Sequence, residues 1–437
     1  MDDIVIKIFE NIICRQYYSS SDDESVCKAA PIQSELAFIN GWKDTFAALP
    51  SIFVAVPFGV LADRIGRKPC VLIGFLGVVL GETWTRIVCW WPHIFPLRLV
   101  WISGLFRIIG GGDLVVTSLV CVMVADVFSE EDRATALFRL SSVVLLADIV
   151  ATPLSAVFMT VQSPWIPYLL GLIMLAIGCM FGFLLPETLD KFEDPAATTA
   201  EEDPIKKTAV QEVYSRIRDF LHSTRFIWQN WNVTLGLLMF LTTTLSRQST
   251  NLLLQYSSTK FHWTIAHASF LLSIRGSVTI FNFLVIMPAL SAVLVKRLHM
   301  SSMWKDRRMC QAIGLIGMLG FALIFVAPTP ATYISGLVLA SLGAAFDVNA
   351  RSLVTYLVAP HQVGTLYSAS AMVQSLGALL AGPLFARLFQ LGLNFGWAWL
   401  GLPFVLAGLL YALATGAVWC LSLSEEGSED ERRPLVE

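Results

Sequence analysis

The sequence predicts an all-α polytopic membrane protein, a helical bundle in two halves with about eleven spans. Three observations carry that expectation. Of 437 residues, 55% are hydrophobic and only 14% charged, with a mean hydropathy of +0.66; a water-soluble domain carries roughly 25% charged residues. Apolar runs of about 20 residues, enough to cross a bilayer as a helix, recur along the chain between short polar connections. The sequence also partly repeats at a shift of 230 residues: Thr135 falls on Thr365, Val143 on Val373, Ala151 on Ala381, and Pro153, Leu154 and Ala156 on Pro383, Leu384 and Ala386. Two similar halves joined by a polar stretch are a common layout for membrane carriers.

The elements follow in order. Residues 1–36 form an N-terminal segment outside the membrane. Its opening, MDDIVIKIFENIICRQYY, starts acidic, and Lys7 and Glu10 interrupt its apolar part. It therefore reads neither as a secretory signal nor as a full span. The N-terminal half, 37–186, holds spans near 38–62, 69–91, 97–126, 134–160 and 164–185. A polar stretch, 187–229, links the halves. Within it EDPAATTAEEDP reads as linker, and Val210, Val213, Tyr214, Ile217, Phe220 and Leu221 then recur at helical spacing among Lys206, Lys207, Arg216 and Arg218. That pattern suits an amphipathic helix on the membrane surface, or a soluble linker helix. The C-terminal half, 230–420, holds spans near 231–255, 265–295, 309–327, 331–357, 363–390 and 396–420. The tail, 421–437, is charged and too polar to build a core.

Lys and Arg gather in DRIGRKP, in DVFSEEDRAT, in 187–229 and in KRLHMSSMWKDRR, whereas 160–164, 327–331 and 390–395 lack charge. The positive-inside rule makes the charged connections cytoplasmic. The tail then lies inside and the acidic run 21–24 outside. A plasma-membrane location is expected, with the vacuole or another internal membrane as the alternative. The net charge of -3 and the lack of a basic face argue against nucleic acid. There is no P-loop, clustered metal-ligand set or GxSxG nucleophile motif, so neither enzyme chemistry nor a cofactor or metal is expected. Of eight cysteines, Cys14 and Cys27 flank a polar stretch; their spacing admits a disulfide there and equally admits two free thiols.

The densest charge between two spans is VLADRIGRKP, residues 60–69. Gly59 is expected to let two helices approach closely and Gly66 to help the turn reverse. Arg64, Arg67 and Lys68 would hold the turn at the inner face, and a topology signal alone would explain them. Asp63 asks for more, because a positive anchor does not need an acid.

GVLADRIGRK closely resembles the signature loop of the major facilitator superfamily: Gly59, Leu61, Ala62, Asp63, Arg64, Gly66, Arg67 and Lys68 all match. The resemblance implies a latch in which Asp63 caps a helix start in the second half and Arg67 pairs with Asp126. RIIGGG, Arg107–Gly112, looks like the family's R-x-x-x-G element, and LPETL, Leu185–Leu189, like the ending of its sixth helix. ADIVATPLSAVF partly resembles the antiporter element: Pro153 matches, while Ala151 and Thr152 replace glycine positions. NGWKD, GGGD and DVFSEEDRAT give the chain the texture of fungal members encoded beside secondary-metabolite enzymes. The family has twelve spans, so in its register this chain starts one helix late, and IVIKIFENIIC would be the outer end of the first helix.

Charges within spans are costly and face a cavity or a partner. Arg107 is a candidate for proton coupling or anion contact, or a structural partner of Asp113. Asp148 suits a proton carrier or pairs with another helix. Arg275 would bridge Asp347 or touch an anionic substrate. Lys43 and Asp44, adjacent and so on different helix faces, line the cavity or its outer rim. Glu82 with Arg86, and Asp347 with Arg351, are spaced to neutralise each other. Gly77–Gly81 and Gly178–Gly182 fit close helix packing. The function expected is secondary active transport of a small organic molecule, a metabolite or drug, by alternating access and proton-coupled efflux. Proton-coupled uptake, or a non-transporting receptor or remnant lacking the first helix, is the alternative. The expected partners are the lipid bilayer, a small-molecule substrate and protons, and the chain is expected to act as a monomer.

Overall fold

The computed structural model describes residues 2–18, 26–127, 130–161, 163–188, 230–358 and 363–421. Among them every regular element is a helix. That is what lipid demands, because an open sheet edge would leave backbone groups unpaired there. The chain divides into two compact units, Met1–His222 and Ser223–Glu437.

In the first unit, α1 (Asp2–Tyr18) packs on α2 (Ala30–Ile65). The buried face of α1 carries Ile4, Ile8, Phe9, Ile12 and Ile13, a helical stripe. Two carboxylates, Asp3 and Glu10, are buried on the same helix. Glu10 accepts from Lys28 Nζ at 2.7 Å and from Gln33 Nε2 at 2.7 Å, and Lys7 Nζ lies 3.4 Å away. A Cys14–Cys27 disulfide, Cα–Cα 5.2 Å, ties α1 to the 3-10 turn Val26–Lys28 that precedes α2. Closing a loop of that size contributes about 3 kcal/mol in the chain-entropy account. Reduction of the purified protein is therefore expected to lower its apparent melting temperature, and Cys14→Ser to remove that response to reductant. An unchanged melting curve would show that the bridge does not hold this end of the bundle.

After α2 come α3 (Arg67–Trp90) and a stretch expected as one long span. That span is broken. Leu97–Ile102 and Arg107–Ile109 are 3-10 turns around a single α turn, Ser103–Phe106, and α4 (Gly112–Val127) starts only after Gly110 and Gly111. The cause is GGG: Gly111 and Gly112 take φ of +76° and +74°, and a Cβ on Gly110 would run into the backbone of Gly74. Close approach of α3 and α4 thus decides the break. The unit continues with α5 (Glu130–Val161), a single helix through Pro153, and α6 (Trp165–Gly182).

The second unit begins with α7 (Trp231–Gln248), a 3-10 turn at Ser249–Leu252, and α8 (Leu253–Phe261). Next are α9 (Ile265–Phe281), a π turn at Asn282–Ile286, and α10 (Met287–Lys296). Then α11 (Ser302–Val326) starts earlier than expected, because MWKDRR is itself helical. The unit ends with α12 (Pro330–Gly343), α13 (Phe346–Thr355), α14 (Val363–Phe395) and α15 (Leu402–Cys420). Pro153 of α5 and Pro383 of α14, paired by the internal repeat, each sit inside a long unbroken helix.

Among the described residues, seven helical stretches are long and apolar enough to cross a membrane. The other expected spans fall on α2, on the broken stretch before α4, on α5 and on α7–α8. These are helical but interrupted or richer in polar residues. The linker helix and the C-terminal tail lie outside the described residues.

Candidate functional site

The signature turn is a one-residue reversal. Gly66 closes α2, donating its N–H to the Ala62 carbonyl at 3.2 Å, and α3 starts at the next residue. Its φ of +113° with ψ of 155° is open to glycine and to few other residues. Beneath the turn, Ala62, Cys70 and Val71 pack with Val115, Val116, Leu119 and Met123, so α2, α3 and α4 meet there.

A helix start leaves backbone N–H groups without partners. Here the Glu187 carboxylate accepts from the N–H of Arg67 at 2.8 Å and from that of Lys68 at 3.2 Å. An acid at this position also suits the helix dipole. Lys68 Nζ donates to the Phe183 carbonyl at 2.8 Å, at the end of α6. Arg67 Nε lies 2.9 Å from Asp126 Oδ2, in the last turn of α4. Thr188 closes the ring by donating to the same Asp126 oxygen at 3.3 Å. Three helix ends and the LPET segment are thereby tied through one carboxylate cap and one ion pair. Sequence reasoning placed Arg67, Lys68 and Asp126 here but missed Glu187 and Thr188. The signal for both lies in LPETL, whose resemblance to the family's sixth-helix ending implies no contact for either residue. The side chains of Asp63, Arg64 and Asp148 lie outside the described residues. A Cβ on Gly59 would meet no described atom within 4 Å. The same holds for Gly178, while Gly77 and Gly81 do lie against the backbone of Phe106 and Ser103.

A second group of charges sits on α3 and the broken stretch. Arg107 Nη1 donates to Asp113, its Nη2 lies 3.7 Å from Glu82 Oε1, and Arg86 Nη1 donates to Glu82 Oε2 at 2.8 Å. Arg86 also donates to the Tyr168 carbonyl at 3.0 and 3.2 Å and stacks 4.0 Å over that ring. The chain Asp113–Arg107–Glu82–Arg86 alternates in sign and balances two carboxylates with two guanidiniums. Asp113 is its exposed end, at 58%, against 16% for Arg107. Lys43 and Asp44 do not diverge as their adjacency suggested: Nζ and Oδ1 lie 3.6 Å apart, because the long lysine stem reaches round the helix. Near Pro153, Ser155 Oγ donates to Asp3 of α1 at 2.8 Å.

In the second unit the expected i,i+4 pairing of Asp347 with Arg351 gives way to contacts between helices. Asp347 of α13 accepts from Thr243 Oγ1 and lies 3.4 Å from Arg247 Nη1, both on α7. Arg351, one turn further along α13, places its guanidinium 6.0 Å from the Phe240 ring centroid. Arg275 lies on α9, where its backbone carbonyl accepts from Thr279 Oγ1 at 2.8 Å. Arg247 was missed because it follows a run of threonines that reads as an ordinary polar helix end.

Helices, glycine-tied crossings and a carboxylate-capped loop define a membrane carrier of the two-unit helical kind. The sequence pattern of the Major Facilitator Superfamily matches residues 30–382. The chain is 38% identical to an MFS-type transporter, avaK, of Aspergillus versicolor, over 99% of this chain and 90% of that one. It is 34% identical to the efflux pump ustT of Aspergillus flavus, over 94% and 83% of the two chains. Among solved structures it resembles the nucleoside transporter NupG, with a TM-score of 0.63 at 16% identity over 96% of this chain and 99% of that one. It likewise resembles a D-xylose-proton symporter, with a TM-score of 0.60 at 14% identity over 98% and 97%. This chain belongs to the major facilitator superfamily. It is an integral membrane transporter of small molecules and not an enzyme.

Proposed function

We propose that the protein exports a small organic molecule, a metabolite or drug, by alternating access of its two units, driven by proton exchange. The observation that carries this is the 34% identity, across 94% of the chain, to a protein described as an efflux pump. Asp113 supports the proton part. It is the exposed end of the ion chain on α3 and α4, and protonating it would release Arg107. We assign the signature turn, with Gly66, Arg67, Lys68, Asp126 and Glu187, to the latch that closes the cytoplasmic side. A plasma-membrane location, a cytoplasmic C-terminus and a monomeric unit complete the proposal.

The test is efflux from cells loaded with a panel of acidic, neutral and basic aromatic compounds, with and without the chain. At least one compound is expected to leave several-fold faster when the chain is present, and a protonophore to abolish the difference. Faster accumulation would make the protein an importer. No difference for any compound would sink the export reading.

A further inference from the structure

We propose that the second unit binds an acidic phospholipid where α10 gives way to α11, its phosphate held by Lys296, Arg297, Arg307 and Arg308. This goes beyond the export reading and does not depend on it.

The first support is place. Ile265–Lys296 and Ser302–Val326 are each long and apolar enough to cross a membrane, and residues 297–301 join them. The joined ends therefore meet the bilayer surface on one side. The connection turns tightly: His299 takes a φ of +48°, and the Met300 N–H donates to the Leu294 carbonyl at 3.3 Å. Within it Leu298 is 61% exposed, and Val293 and Val295 are exposed just before it. On α11, Arg307 lies 5.2 Å from the Trp304 ring centroid and donates to the Trp419 carbonyl at 3.1 Å. Tryptophans favour the depth of lipid headgroups. Bases, exposed aliphatic side chains and tryptophans thus come together at the ends of two spans. By the positive-inside rule this is the cytoplasmic leaflet, where acidic lipids gather.

Charge gives the second support. Residues 296–308 hold five bases, Lys296, Arg297, Lys305, Arg307 and Arg308, against one acid, Asp306. That acid is engaged: it lies 3.1 Å from Lys305 and accepts from Ser352 of α13. Among the described residues no carboxylate pairs with the other four bases. Arg307 and Arg308 donate there to neutral oxygens, the Trp419 carbonyl and, at 3.4 Å, the Gln311 amide. Lys296, Arg297 and Arg308 are exposed. The helix adds charge of the same sign, since α11 opens with no acid in its first turn and no side-chain cap from Ser301. A topology signal explains why bases lie on this side, but not why four stand together without an acid.

The first unit offers a contrast. At the start of α3, Glu187 caps the helix and Asp126 meets Arg67. Lys68 donates there to the Phe183 carbonyl at the end of α6, as Arg307 does to the Trp419 carbonyl at the end of α15. The frame recurs, but among the described residues the acids do not. A lipid phosphate supplies the missing charge, and its acyl chains cover Leu298 and the valines. The rival occupant is the acidic tail beyond Leu421, with Glu425 and Glu426. A polar tail would leave those aliphatic side chains uncovered, which favours lipid.

The experiment places the full chain in vesicles of phosphatidylcholine, with and without phosphatidylserine, and reads its apparent melting temperature. This readout needs no transported compound. Phosphatidylserine is expected to raise the melting temperature of the wild type by about 3 °C or more, and high salt to erase most of the rise. Lys296→Gln with Arg297→Gln is expected to match the wild type in phosphatidylcholine alone and to lose about half of the rise or more. Arg307→Gln with Arg308→Gln should lose a similar share, from a lower baseline because the Trp419 carbonyl loses its donor. No rise in the wild type would overturn the proposal. An equal rise in the wild type and both double variants would show that acidic lipid acts elsewhere, and would also overturn it. A lower melting temperature for Lys296→Gln with Arg297→Gln in phosphatidylcholine alone, with the rise intact, would assign these bases to the tail and overturn the lipid occupant.

Discussion

Lys28→Met alone will destabilise the first unit more than any surface change, by about 3 kcal/mol. Glu10 has no exposed side-chain surface, and the Lys28 side chain is only 4% exposed. Their 2.7 Å contact is a buried ion pair, reinforced by Gln33. Removing the lysine leaves a carboxylate in an apolar stripe of isoleucines, with Lys7 at 3.4 Å as its remaining charged partner. That partner keeps the expected loss at the lower end of the usual range for a broken buried pair. Glu10→Gln in the same chain removes the orphan charge, so the double variant should recover most of the loss, with a coupling of about 2 kcal/mol. Apparent melting temperatures of purified wild type, both single variants and the double variant measure it. Additive losses would show that the two groups do not meet. A shift below about 1 °C for Lys28→Met would show that Glu10 is hydrated.

This pair also shows what the sequence left unread. Lys7 and Glu10 registered only as interruptions that disqualified a span. The burial of Glu10 depends on Lys28 and Gln33, which lie 18 and 23 residues away and were brought close by the disulfide-tied turn. Spacing along one helix is local and legible, as with Glu82 and Arg86. Partners on different helices are not. Asp347 looked satisfied by Arg351 one turn away, yet the crossing of α13 over α7 brings Thr243 and Arg247 to it. The helical class was legible because composition and run length answer directly to lipid. The break at Gly110–Gly112 was half legible: the glycines were noticed, but their fit against Gly74 needed the crossing angle of two helices. In the signature turn, resemblance supplied Arg67 and Asp126. Glu187 stayed hidden because the backbone N–H groups it caps exist in every sequence and become orphans only where a helix begins.

That cap leads to the second large effect, expected from Gly66→Ala. The substitution forces an L side chain into a backbone region that costs about 1–3 kcal/mol. The new Cβ would also overlap the Glu187 carboxylate. The acid must then swing away from the N–H groups of Arg67 and Lys68, which loses two charge-assisted hydrogen bonds. Glu187 is exposed, so water replaces part of that loss, and Glu187→Ala alone should cost only about 1–2 kcal/mol. The two changes therefore overlap. With Glu187 already removed, Gly66→Ala costs only its backbone strain, and the double variant should be more stable than the sum of the singles predicts. Glu187→Gln keeps one acceptor oxygen and should fall between wild type and Glu187→Ala. Melting temperatures read the stability side of this cycle, and efflux in the panel assay reads the latch. Efflux should fall with Gly66→Ala and with Glu187→Ala, and fall little further in the double variant, because both act through one contact. Full additivity in melting temperature would mean that Gly66 and Glu187 do not touch in the working protein. Unchanged efflux in both single variants would separate the turn's stability from gating and leave the latch assignment without support.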